Sequence, residues 1–294
     1  MNIDVRPVVQ IVTAHRQEEG AGFIVRRPFP TLGLAMVDPF LLLDEMGPAE
    51  YGPGEAIGAP DHPHRGFETV TYALEGELEH ADSAGHRGKL GPGDVQWMTA
   101  GAGVVHSEMP SRRIREEGGR VHGFQIWVNL PARDKMTRPR YQEIPAARIP
   151  AASTEDGLAR VRVIAGEALG ARAVIETRTP IVVQDWTLSP GASVVQPVPA
   201  DHEAFVYVFQ GAALVGEGAR EVKEGQLARL GRGGAVALAS AAGAEGPARL
   251  LLLAGVPLRE PVARYGPFVM NSEAEIRRAI VDYQAGRMGE IARR

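Results

Sequence analysis

The sequence predicts an all-β protein, a barrel or sandwich built twice over, and three observations carry that prediction. Glycine and proline are dense, 35 and 22 in 294 residues, and the runs between them are short and rich in β-branched and aromatic residues. One such run recurs, with its turn, in the second half of the chain. A single segment near the end has clear helical spacing.

In chain order, FETVTYALEG (67–76), GDVQWMT (93–99) and GFQIWVNL (123–130) are the strands of the first half. A proline-rich polar passage, NLPARDKMTRPRYQEIPAARIP, follows and reads as a linker, which divides the chain near residue 140 into 1–140 and 141–294. RVRVIAGE (160–167), IVVQDWTL (181–188), AFVYVFQG (204–211) and RLLLLAG (249–255) are the strands of the second half. Phe67 to Leu78 resembles Glu203 to Leu214, each an alternating strand running into a glycine turn, and Gly76 is matched with Gly211. Gly93-Asp94-Val95 begins 17 residues beyond the first glycine and Gly225-Gln226-Leu227 begins 14 beyond the second. Agreement at two turns implies an internal duplication. In the tail, Ser272 and Glu275 form a capping box, and Ile276, Ala279, Ile280 and Tyr283 make one apolar stripe that should dock on a sheet.

Composition excludes several classes. With a net charge of −4, 44% hydrophobic and 23% charged residues, the chain is an ordinary globular protein, neither disordered nor collagen-like. It has no cysteine, so disulfides, thiolate metal sites and thiol nucleophiles are absent, and any metal must be held by imidazole and carboxylate. The net charge is negative and no arginine-rich stripe stands out, which argues against direct nucleic-acid binding. The longest uncharged apolar stretch, Leu250 to Leu258, is about half of a membrane span, and the start MNIDVRPVVQ lacks the apolar core of a signal peptide. The expected location is the cytoplasm, with no membrane partner.

The chemistry concentrates in two pieces, DHPHRGFE (61–68) and GAGVVHSE (101–108). Side chains alternate faces along a strand, so His62 with His64, and His106 with Glu108, each project from one face. Two strands can then present four ligands to one ion. Three imidazoles and a carboxylate suit a divalent first-row metal and leave coordination positions open if the metal is octahedral. Glu68, four residues after His64, competes with Glu108 for the fourth position; spacing alone makes them equal, Glu68 being otherwise a carboxylate that orients a histidine. His15, His80, His86, His122 and His202 have no partner at such spacing and read as structural or solvated, although His122 precedes a strand that could return beside the site.

These segments resemble the two cupin motifs, and the chain is similar to one cupin family, the pirins. The resemblance is carried by DPFLLLDEM (38–46), DHPHRGFETVTY (61–72), GDVQWMTAGAGVVHSEMP (93–110), GFQIWVNLP (123–131), VIAGEALG (163–170) and GVPLREPVARYGPFVMN (255–271), in family order over almost the whole chain. It implies a bicupin: two stacked cupin barrels with a short C-terminal helix, and one mononuclear metal in the N-terminal barrel on His62, His64, His106 and Glu108. The resemblance thus favours Glu108 over Glu68. Aligned on the repeated glycines, the second barrel has Pro197 and Pro199 opposite His62 and His64, and Leu238 opposite His106, so it should be structural.

For function, the resemblance implies a quercetin 2,3-dioxygenase, an oxidoreductase that opens the central ring of a flavonol with dioxygen and releases carbon monoxide. The expected cofactor is one divalent metal per chain, Fe(II) first, with Ni, Mn, Co, Cu or Zn as the other candidates. Glu108 would be ligand and base by turns, and Phe40, Trp97 and Met98 would line the pocket for a flat aromatic substrate. The alternative is a non-enzymatic regulator that binds a protein partner according to the redox state of its metal; a cupin isomerase, or a dioxygenase for another enolizable substrate, is a third reading. A monomer is expected.

Overall fold

The computed structural model describes residues 4–292, so the first three residues of MNIDVRPVVQ lie outside it. Strands dominate and fall into two compact units of the same design, each a seven-stranded and a four-stranded antiparallel sheet. This is the cupin fold, twice. One unit comprises Arg16–Arg27, Phe40–Ala146 and the chain from Leu258 onward. The other comprises the N-terminal segment through His15, Pro28–Pro39 and Ala147–Pro257.

The expected division at 140 therefore needs correcting. The proline-rich passage does mark a change, at Ala146/Ala147, but both chain ends cross over. The strand Val8–Thr13 adds to the edge strand Gln226–Leu230 of the second unit, and the terminal helix belongs to the first. Periodicity states that an apolar stripe will be covered, not by which sheet.

In the first unit the larger sheet runs in the order Arg140–Ile144, Val95–Thr99, Phe67–Glu75, Gly119–Asn129, Phe40–Tyr51, Phe23–Phe29, His15–Glu19. The smaller runs Ala59–His64, Val104–Pro110, Leu78–Asp82, Arg87–Leu90. The second unit repeats the plan: Glu203–Gln210 stands where Phe67–Glu75 does, Ser193–Pro197 where Ala59–His64 does, and Ala235–Ala239 where Val104–Pro110 does. Its core is a continuous packing of side chains such as Trp186, Val206, Leu238 and Leu250. Gly76 and Gly211, the aligned glycines, both take positive φ, 82° and 69°, a conformation that favours glycine.

Among the described residues two α-helices interrupt the strands. The helix α1 (Arg112–Glu117), capped by Ser111, was not expected; it buries only Ile114, too little to write a period into the sequence. The expected helix is α2 (Glu273–Gln284). Ser272 accepts from the Glu275 N–H, and the Glu275 carboxylate reaches back to the Ser272 hydroxyl and the Asn271 N–H, a capping box shifted by one residue. Its buried residues are Ile276, Ala279 and Asp282. Ile276 and Ala279 pack with Phe268 and Met270, from the strand Phe268–Met270, and with Val105.

Candidate metal centre

The strand Ala59–His64 pairs antiparallel with Val104–Pro110, with His106 directly opposite His62 and Val104 opposite His64. The ring centroids of His62, His64 and His106 are 4.4 to 4.8 Å apart, and one nitrogen from each lies within 4.8 Å of the others. The i, i+2 spacing has thus delivered three imidazoles to one point. His62 places Nδ1 on the Pro60 carbonyl at 2.7 Å, which leaves its Nε2 facing the His64 Nε2 at 3.1 Å. A carbonyl on one ring nitrogen fixes the tautomer and frees the other as a ligand.

Burial, with the neighbouring His62, holds His64 well below the ordinary imidazole value. Burial, with the neighbouring His64, His62 and His80, does the same to His106. Both are neutral at pH 7, the form that ligates. Both ring nitrogens of His106 are buried without a hydrogen-bond partner. Unpaired buried polar atoms are costly, and a cation at the three-histidine cluster would pair one of them. The donor set therefore fits a divalent first-row metal.

Alternation puts Glu108 on the face of His106, an extra residue in the strand Ala59–His64 sets it opposite Ala59, and it lines the same cavity as His62 and His64. Thr71 Oγ1 donates to Glu108 Oε1 at 2.7 Å and lies 2.9 Å from Gln125 Oε1. Glu108 thus stands beside the imidazole cluster rather than inside its tight nitrogen triangle. Glu68 sits elsewhere. It is 1% exposed, accepts from the Thr99 hydroxyl at 2.6 Å, and by strand alternation points away from the face that carries Phe67 and Thr71.

The cavity is about 590 Å³ and is lined by His62, His64, Glu108, Gln125, Trp127 and Arg264 among others. Phe40, Trp97 and Met98, expected as its walls, are buried in the core instead. Trp97 faces the same side of its sheet as its partner Val70, while Met98 packs with Ala100, Val104 and Tyr141. The aromatic wall is Trp127, 5.2 Å from the His64 ring and 4.3 Å from Phe67, with the Arg264 guanidinium 4.7 Å above it. Alternation in GFQIWVNL puts Gln125 and Trp127 on one face, a signal the sequence did contain. Arg264 comes from the far end of the chain and carried no signal. His122 lines the cavity outside the triad, its Nε2 2.9 Å from Glu45 Oε1.

The chain is similar to known proteins over almost its whole length. Residues 22–128 match the family described as Pirin, and residues 183–289 match the Pirin C-terminal cupin domain. The chain is 44% identical to human pirin, covering 97% of this chain and 94% of that protein. It is also 44% identical to a pirin-like protein of Solanum lycopersicum, over 97% of this chain and 93% of the relative. The crystal structure of a quercetin 2,3-dioxygenase from Acinetobacter baumannii superposes with a TM-score of 0.90 at 40% identity, over 98% of this chain and 99% of that one.

Proposed function

The chain belongs to the pirin family, and from that membership we propose that it is a metal-dependent dioxygenase acting on flavonols of the quercetin type. The observation that carries the proposal is the cluster of three imidazoles, two of which, with Glu108 beside them, line one cavity large enough for a flat polycyclic substrate. The similarity to a structure named quercetin 2,3-dioxygenase supports the same reading.

In this proposal His62, His64, His106 and Glu108 hold one divalent metal, iron first among the candidates. The bound metal would supply Lewis acidity toward the flavonol 3-hydroxyl and an electron path between substrate and dioxygen. Glu108 accepts the proton of that hydroxyl, and the Thr71 hydroxyl on its Oε1 keeps the carboxylate oriented while it does so. Trp127 and Arg264 line the cavity beside the imidazoles and would contact the aromatic rings. Both oxygen atoms of dioxygen end in the opened product, and one carbon of the central ring leaves as carbon monoxide. Among the described residues no helix is long and apolar enough to cross a membrane.

The test is oxygen uptake with quercetin by protein purified without added metal and then loaded in turn with iron, manganese, nickel, cobalt and copper. Uptake with release of carbon monoxide is expected for at least one metal. Absence of flavonol-dependent uptake with every metal, at full occupancy, overturns the proposal and favours a metal-switched binding protein.

A further inference from the structure

The last stretch of the chain returns to the metal-site barrel and touches both ligand strands. Arg65, the neighbour of His64, is buried; its Nη1 donates to Asp282 Oδ2 on α2 at 2.8 Å and its Nε to the Ala102 carbonyl at 2.7 Å. Its backbone N–H donates to the Pro267 carbonyl at 3.3 Å, and its carbonyl accepts from the Val269 N–H at 3.0 Å. A Cβ on the next residue, Gly66, would stand 2.0 Å from the Val269 carbonyl oxygen, so this turn admits the terminal strand only as glycine. The buried Lys135 closes the junction, donating to the carbonyls of Gly66 and Val269 at 2.8 and 3.0 Å. On the other ligand strand, Val105 packs on Ile276 and Ala279 of α2, and its N–H donates to Ser83, whose hydroxyl donates to the Met288 carbonyl.

Asp282 is the anomaly in this clasp. It occupies a buried position on a helix face that needed only apolar residues there, and it gathers the guanidinium groups of Arg65, Arg278 and Arg287 within 2.6 to 3.0 Å. Arg278 and Arg287 are exposed; only Arg65 is buried, and it directly follows the ligand strand Ala59–His64. Burying an ion pair is poor value for stability compared with apolar packing, whereas its directional bonds specify geometry well.

We infer that Asp282 is a positioning residue of the metal centre, acting through Arg65 to hold the His62–His64 segment where its imidazoles meet His106. The inference rests on the reading that these three histidines bind the metal. It makes the C-terminal segment a working part of that site.

The experiment measures Ni(II) affinity, by competition with a chromophoric chelator, and the visible spectrum of the Co(II)-loaded full-length protein. Asp282→Asn should weaken Ni(II) binding about 10- to 100-fold and shift the Co(II) bands, the scale seen when groups supporting metal ligands are lost. Asp282→Glu, which keeps the charge, should recover part of both. Val206→Ala, in the core of the other unit, should lower the melting temperature and leave both readouts unchanged. If Asp282→Asn does not fold, Arg65→Lys decides, since it keeps the charge and loses the fork. Affinity within about twofold of wild type, with an unshifted Co(II) spectrum in the deciding variant, overturns the inference. A wild type that takes up neither ion, or one whose uptake survives His106→Ala, overturns the histidine reading and this inference with it.

Discussion

Glu68 and Glu108 are separated by the direction of their side chains, which residue spacing encodes only within one strand. Glu108 stays on the strand of His106 and shares its face, whereas the break at Arg65–Gly66 separates His64 from Glu68, whose carboxylate lies across the sheet against Thr99. Alternation likewise aligned His62 with His64, and antiparallel pairing set His106 opposite. The two carboxylates therefore call for opposite outcomes. Glu108→Gln keeps a coordinating oxygen and removes most of the basicity, so flavonol turnover should fall roughly 10²-fold or more at equal metal occupancy. Glu68→Gln should leave metal content intact and appear only as a loss of stability on the order of 1–3 kcal/mol. Equal turnover in Glu108→Gln and wild type would remove Glu108 as the base.

At the level of elements, α2 was legible in its capping box and its stripe, while its most informative residue was not. Asp282 falls at helical spacing after Ile276 and Ala279, but a carboxylate in an apolar stripe reads as a break until its partner, 217 residues away in sequence, is seen. The helix buries Ile276, so Ile276→Ala should cost about 2–5 kcal/mol, and Ser272→Ala about 1 kcal/mol through the cap. Truncation before Asn271 removes the whole docked face and should lower the melting temperature sharply; an unchanged melting temperature would show that the docking contributes nothing. The charge adds a pH signature. Arg65 first, then Arg287 and Arg278, hold the Asp282 carboxyl below its usual 3.8, so its contribution is complete above that pH and is lost as acid carries it through the lower folded value. The stability gap between wild type and Asp282→Asn should be flat above about pH 4 and close as pH falls further. A gap that is constant down to the acid transition would contradict the pairing.

At the scale of the whole molecule, the duplication was readable because each half repeats its own turns, whereas the exchange of chain ends was not, because it depends on which edge and which apolar face each end meets. The consequence concerns cutting the chain. A fragment 1–140 would leave Arg65 buried without Asp282, the buried Lys135 without the Val269 carbonyl, Val105 uncovered, and the strand Val8–Thr13 without its partner Gln226–Leu230. The fragment 141–294 would lose that edge strand and carry an α2 deprived of Val105 and Arg65. Each fragment thus exposes apolar surface and unpaired buried charge that the intact chain satisfies, a combination that single domains do not tolerate. Expressed separately, neither fragment should unfold cooperatively near the melting temperature of the whole, and 1–140 should bind Ni(II) far more weakly despite holding all of His62, His64, His106 and Glu108. The intact chain should bind one ion, because the second-unit strands Ser193–Pro197 and Ala235–Ala239 contain no histidine or carboxylate. Cooperative unfolding of 1–140 with full metal affinity would mean that the four residues and their own strands suffice, and that the returning C-terminal segment is dispensable to the site it touches.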